Sequence, residues 1–270
     1  MTNIRSIPPA LRERFKTIQR LTTFEDKRSA IQELGALADP DSDLLLLYFT
    51  DDRSRDVRLV ALEELWDNAS PLARIAARAC LGDSWHIVRD TAAEALGDVG
   101  TSQDVSRLIL ALQDQEWMVR CSAASSLGFL GGTRSRKALL SGLSNDSHPN
   151  VRRYIAGAFH VMNDPSVIPA LEIALNREKE DYARSGLLYA IYTLGQPERL
   201  SPLLQLLQSE DPTLQFQVLN CLREGISPSD RETVFAALRD VLRSDAVEGV
   251  KTDAEDVMSS LESNGKDEES

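Results

Sequence analysis

An apolar and basic nonapeptide returns along this chain at nearly constant intervals, and that repetition constrains the fold more than any other feature. The copy Val88-Arg89-Asp90-Thr91-Ala92-Ala93-Glu94-Ala95-Leu96 is the clearest. Its grammar recurs as Val57-Arg58 with Ala61 and Leu65, and as Val119-Arg120 with Ala123 and Leu127. It recurs again as Val151-Arg152 with Ile155 and Phe159, Ala183-Arg184 with Leu187 and Ile191, and Leu214-Gln215 with Val218 and Leu222. Weaker copies begin at Asp26-Lys27 and Val250-Lys251. Anchors at 26, 57, 88, 119, 151, 183, 214 and 250 lie 31 or 32 residues apart, except for a last step of 36. Apolar residues at the anchor and at four and eight positions beyond it share one helical face. The mostly small residue at the middle position lets that helix approach a neighbour closely.

Five residues before the anchors stand Asp52, Asp83, Asp114, Asp146, Glu178, Ser209 and Asp245. A second amphipathic run precedes each, as in Val105 to Leu112 and Ile168 to Leu175. Each unit therefore reads as helix A, a tight polar turn, and helix B starting near the anchor. The acid in the turn can accept from free N–H groups at the start of helix B. Its recurrence in step with Arg58, Arg89, Arg120, Arg152 and Arg184 predicts an ion-pair ladder between repeats. Gly35, Gly97, Gly128 and Gly195 read as left-handed caps after the B helices. Pro71, Pro165, Pro197 and Pro202 read as starts of new helices. The composition, 42% hydrophobic but only 6% aromatic, suits helices packed through aliphatic side chains.

This grammar resembles HEAT repeats, especially the short bacterial form associated with phycobilin lyase subunits. The resemblance implies an all-α superhelix, an α-solenoid of about eight HEAT-like helical hairpins. Residues 1–262 then form a single repeat domain, with an N-terminal capping unit at 1–36, core repeats at 37–227 and a C-terminal capping unit at 228–262. Residues 263–270 read as a disordered acidic tail. The architecture itself hosts many unrelated functions.

The sequence offers little catalytic chemistry. His86, His148 and His160 fall in three different units, so no metal site is expected. Cys80, Cys121 and Cys221 contain no CxxC, with Cys80 and Cys221 at core-like positions and Cys121 at a position open to solvent. No P-loop, GxSxG or HExxH is present. The expectation is a chain that is not an enzyme and holds no cofactor. A net charge of −12 disfavours nucleic acid. The chain lacks an apolar run long enough for a membrane or a signal sequence, which places it in the cytoplasm as an expectation.

What remains is binding. The resemblance implies that the B helices line the concave face. On them, positions two before, two after and six after the anchor turn away from the core. Together with the turn preceding the third B helix, these positions give a candidate partner surface of Glu63, Trp85, His86, Asp90, Glu94, Trp117, Arg153, Tyr182, Tyr189 and Phe216. Exposed aromatics among acids suit a basic protein partner, while a small molecule is not expected. The alternative for Trp85 and Trp117 is packing between repeats as spacers. The leading function is a non-catalytic scaffold or adaptor. Alternatives are an acidic immunity-type inhibitor of a basic toxin or enzyme, and a bilin lyase-like or chaperone subunit. An enzyme using Glu63 and Glu94 as paired acids is weaker, because repeat equivalence alone explains their pairing.

Overall fold

A computed structural model describes residues 7–267, with side chains as far as Ser263. Among these residues the chain is helical, with sixteen α-helices and no strand. They alternate as eight hairpins. The A helices are α1 (Arg12–Gln19), α3 (Pro40–Phe49), α5 (Ala73–Cys80), α7 (Val105–Ala111), α9 (Gly132–Asn145), α11 (Ile168–Arg177), α13 (Leu200–Gln205) and α15 (Arg231–Arg243). The B helices are α2 (Phe24–Leu37), α4 (Arg55–Asp67), α6 (His86–Val99), α8 (Trp117–Leu130), α10 (Pro149–Met162), α12 (Asp181–Thr193), α14 (Pro212–Glu224) and α16 (Glu248–Asp267). The expected α-solenoid is therefore the observed architecture.

The chain divides into two compact units, residues 1–139 and 140–270. In the first, α2, α4, α6 and α8 pack in sequence, each B helix against the next. In the second, α10, α12, α14 and α16 do the same. The repeat explains the seams. Anchors Val57, Val88, Val119, Val151 and Ala183 are buried, as are Ala61, Ala92, Ala123, Ile155 and Leu187 one turn on, and Leu65, Leu96, Leu127, Phe159 and Ile191 two turns on. Burying such aliphatic stripes is the main force holding neighbouring hairpins together.

The polar turns before α4, α6, α8 and α10 work as the spacing predicts. Asp52, Asp83, Asp114 and Asp146 accept from the N–H two residues on, at Ser54, Trp85, Glu116 and His148 (2.8–2.9 Å). Three ladder pairs are bidentate. Arg58 grips Asp83 through Nε and Nη2, both at 2.6 Å. Arg89 grips Asp114 at 2.7 and 2.8 Å, and in the second unit Arg152 grips Glu178 at 2.6 and 2.8 Å. Each arginine also places Nη1 on a main-chain carbonyl of its own turn. Lys27 takes the first rung at 3.9 Å from Asp52. Where Ser209 replaces the acid, Arg184 turns back to Asp181 of its own helix at 3.4 Å.

Three details differ from expectation. Gly35, Gly97 and Gly128 lie inside the last turns of α2, α6 and α8 and cap nothing. At two of them the missing side chain admits a neighbour: a Cβ on Gly35 would lie 1.9 Å from Glu64 Oε2, and one on Gly97 would lie 2.8 Å from Ser126 Oγ. Of the four, only Gly195 is left-handed (φ +109°), while Ala38 (+46°) and Asn163 (+48°) fill that role after α2 and α10. Cys121 is buried, because α8 is apolar on most of its circumference. Finally, α16 continues to Asp267, through most of the stretch read as a tail; residues 268–270 lie outside the described residues.

Candidate functional site

The candidate residues fall into two sets. Glu63, Trp85, His86, Asp90, Glu94 and Trp117 belong to the first unit, and Arg153, Tyr182, Tyr189 and Phe216 to the second.

In the first unit the acids form a lane along α4 and α6. Glu63 and Glu94 occupy matched repeat positions. One turn further on, Asp67 and Asp98 extend the line, a position that stopping at six beyond the anchor misses although the repeat carries it. Burial raises the Glu63 carboxyl above its ordinary value, and Asp67 adds to this while Arg28 opposes it. Burial likewise raises Glu94, helped by Asp90 and Asp98. Burial and then Asp67 raise Glu64. The lane thus carries crowded negative charge. Two of its members are held in place: Asp98 accepts from Trp66 Nε1 at 3.0 Å and Asp90 from Ser122 Oγ at 2.7 Å. At the head of α6, the Trp85 ring lies beneath the Arg55 guanidinium, 4.6 Å from its centroid, and edge-on to His86. Trp85 and Trp117 are both half-buried.

In the second unit Tyr189 is not a surface residue. It is 3% exposed, donates to the Gly225 carbonyl at 3.3 Å and packs against His160. Phe216 is half-buried, with its ring tip 3.3 Å from where a side chain on Gly249 would begin. Arg153 and Tyr182 line a concavity with Tyr154, Gln217, Asn220, Arg223 and Glu224.

Thiol chemistry is suppressed: burial pushes Cys80 and Cys221 up to about 12. Among the described residues no three His, Cys, Asp or Glu side chains converge as a metal ion would need. No helix among them is long and apolar enough to cross a membrane.

The profile of HEAT repeats matches residues 105–192, which run from α7 into α12. Residues 105–192 carry HEAT repeats. The complex of CpcE and CpcF of phycocyanin lyase from Nostoc sp. PCC7120 has the same fold, with a TM-score of 0.60 and 20% identity over 81% of this chain and 94% of that one. The deoxyhypusine hydroxylase of Debaryomyces hansenii is 30% identical over 159 residues, 57% of this chain and 50% of that protein. The chain thus spans about half the length of this curated relative. Human deoxyhypusine hydroxylase, solved in complex with glycerol, matches more loosely, with a TM-score of 0.39 and 18% identity over 93% of this chain and 96% of that one. The 30% identity to the Debaryomyces hansenii enzyme overturns the expectation that the chain is not an enzyme.

Proposed function

We propose that the first unit binds a basic segment of a protein partner along the acidic lane of α4 and α6. The observation that carries this reading is the placing of half-buried acids at matched positions on successive B helices, Glu63 beside Asp67 on α4 and Glu94 beside Asp90 and Asp98 on α6, whose charge a bound cationic chain relieves. Trp85 supplies an aromatic surface beside the lane. HEAT repeats commonly recognise proteins, and the phycocyanin lyase neighbour is itself a complex of two chains. All three tryptophans of the chain, Trp66, Trp85 and Trp117, lie in this unit, so intrinsic fluorescence reports on it alone. Titration with a lysine-rich decapeptide is expected to change that fluorescence saturably. Glu63→Gln/Glu94→Gln is expected to weaken the affinity about tenfold at low salt, as is raising salt from about 50 to 200 mM. An unchanged affinity in the double variant removes the lane as the binding surface.

The match to deoxyhypusine hydroxylase favours a second, catalytic reading. Its test is turnover: the purified chain is incubated in air with a deoxyhypusine-bearing substrate and a two-electron reductant, which carries the second oxygen atom to water, and the product is weighed by mass spectrometry. A gain of one oxygen atom establishes hydroxylation. An unchanged mass with an active control enzyme alongside removes the reading.

A further inference from the structure

The second unit holds a site of opposite character. Three B helices line a shallow, open concavity of about 550 Å³, with Arg153 and Tyr154 from α10, Tyr182 from α12, and Gln217, Asn220, Arg223 and Glu224 from α14. Arg153 is its centre. The guanidinium stands between two rings, 4.4 Å from the Tyr154 centroid and 5.2 Å from that of Tyr182. Nη1 donates to Gln217 Oε1 at 2.9 Å. Nε is buried with no acceptor, and among the described residues no carboxylate pairs with this arginine.

Three other arginines of the protein are partnered differently. Arg58, Arg89 and Arg152 each fill the Nε and Nη2 edge with a carboxylate from the next turn. Arg153 is fixed by stacking and by Gln217, with no such carboxylate bonded to it among the described residues. A planar guanidinium held in this way is preorganised for a planar, bidentate acceptor. Arg223 does not compete, because it is engaged by Asn220 at 2.8 Å and by Asp253. With one unpaired cation and the Glu224 carboxyl on the rim, the concavity favours a single negative charge over the double charge of a phosphate.

We infer that this concavity binds a carboxylate group, recognised by Arg153 between Tyr154 and Tyr182. The site is independent of the acidic lane, since it lies in the other unit and selects the opposite charge. The carboxylate belongs either to a free small acid or to a peptide C-terminus.

The test is calorimetric titration of the full chain with three probes: succinate, a short peptide with a free C-terminus, and the same peptide as its C-terminal amide. The Arg153 Nε–H resonance, assigned by its loss in Arg153→Lys, is followed by NMR in parallel. Binding of an acid that shifts this resonance, with no binding of the amide, is the expected result. Binding of succinate and peptide alike identifies the small acid as sufficient, and binding of the peptide alone identifies a chain terminus. Arg153→Lys keeps the charge and the aliphatic stem but loses the fork, and is expected to weaken binding at least tenfold. Glu224→Gln keeps the Arg153 fork and its stacking but removes the carboxylate charge that Arg153 faces, and is expected to tighten binding several-fold. Absence of binding by every probe at millimolar concentration overturns the proposal. So does unchanged affinity in both variants.

Discussion

Replacing Arg89 with methionine is expected to destabilise the first unit by about 2–3 kcal/mol, read as a lower denaturant midpoint with an unchanged slope. The substitution keeps the apolar stem and removes only the fork. It strands the Asp114 carboxylate, whose side chain is 14% exposed, and the Asp83 carbonyl that Arg89 Nη1 reaches at 2.8 Å. Fully buried pairs cost about 3–5 kcal/mol when broken on one side, and this pair keeps a little solvent, which sets the lower figure. Asp114→Leu is expected to cost about 1 kcal/mol more than Arg89→Met, because Asp114 also accepts from the Glu116 N–H at the start of α8. The double variant should recover most of the charge penalty but not the cap. A loss below about 0.5 kcal/mol for Arg89→Met would place the ladder among ordinary surface ion pairs.

The same ladder sets the response to acid. Burial pushes the ladder acids Asp83, Asp114 and Glu178 upward, and also Asp104, which Arg78 of α5 grips in the same way, but arginine forks and main-chain N–H donors outweigh it and leave them below their ordinary values. A carboxyl depressed in the folded state contributes stability that is complete above its ordinary value and is lost as pH falls through the depressed one. Glu63, Glu64, Glu94 and Glu224 are raised, burial first in each case. For a raised acid the sign reverses: the ionised form penalises folding, and the penalty disappears as pH falls from the raised value to the ordinary one. Thermal melts at fixed ionic strength should therefore hold level or rise slightly from neutrality to about pH 5, then fall below about pH 4 as the ladder protonates. A steady loss beginning at neutrality would mean that the lane acids are not strained.

What the sequence disclosed follows from what repeats enforce. A residue type that returns every 31 or 32 positions does the same physical work each time, so the buried stripe, the acid in the turn and the arginine ladder were all readable from spacing. Residues that break the pattern were not. Tyr189 sits at a position occupied by glutamate in two earlier repeats, yet it is buried because a carbonyl at Gly225 and the His160 ring meet it there. Helix ends were misread for a related reason. Glycine in a final turn serves equally as a left-handed cap or as room for a neighbour, and only the identity of that neighbour, Glu64 at Gly35 and Ser126 at Gly97, decides between them. The concavity of the second unit was half visible. Arg153 and Tyr182 stand on outward positions, but Tyr154, three residues beyond the anchor and outside the repeating outward set, and Gln217 complete the setting that gives Arg153 its character.

Gly186 and Gly157 should respond to the same substitution with opposite signs. Gly157 lies within α10, and a Cβ built there meets nothing within 4 Å. Gly157→Ala is therefore expected to stabilise the second unit by about 0.5–1 kcal/mol through helix propensity alone. Gly186 lies within α12, where a Cβ would stand 2.7 Å from Arg153 Cγ, 3.2 Å from the Arg153 carbonyl oxygen and 3.4 Å from its Cα. Two of these atoms are main chain, so relief requires the seam between α10 and α12 to open. Overpacking of about 1–3 kcal/mol outweighs the propensity gain, and Gly186→Ala should be net destabilising by about 1–2 kcal/mol. Gly186→Leu should cost about 3 kcal/mol or more, because it adds three further carbons at a seam already too close for a Cβ. The distinguishing consequence is at the concavity: any shift of the Arg153 stem moves its head relative to Tyr154 and Tyr182. Carboxylate affinity should therefore fall in Gly186→Ala while remaining intact in Gly157→Ala. If both alanine variants were stabilised alike, the close approach of α10 to α12 would not be a feature of the folded protein, and the positioning of Arg153 by that seam would fall with it.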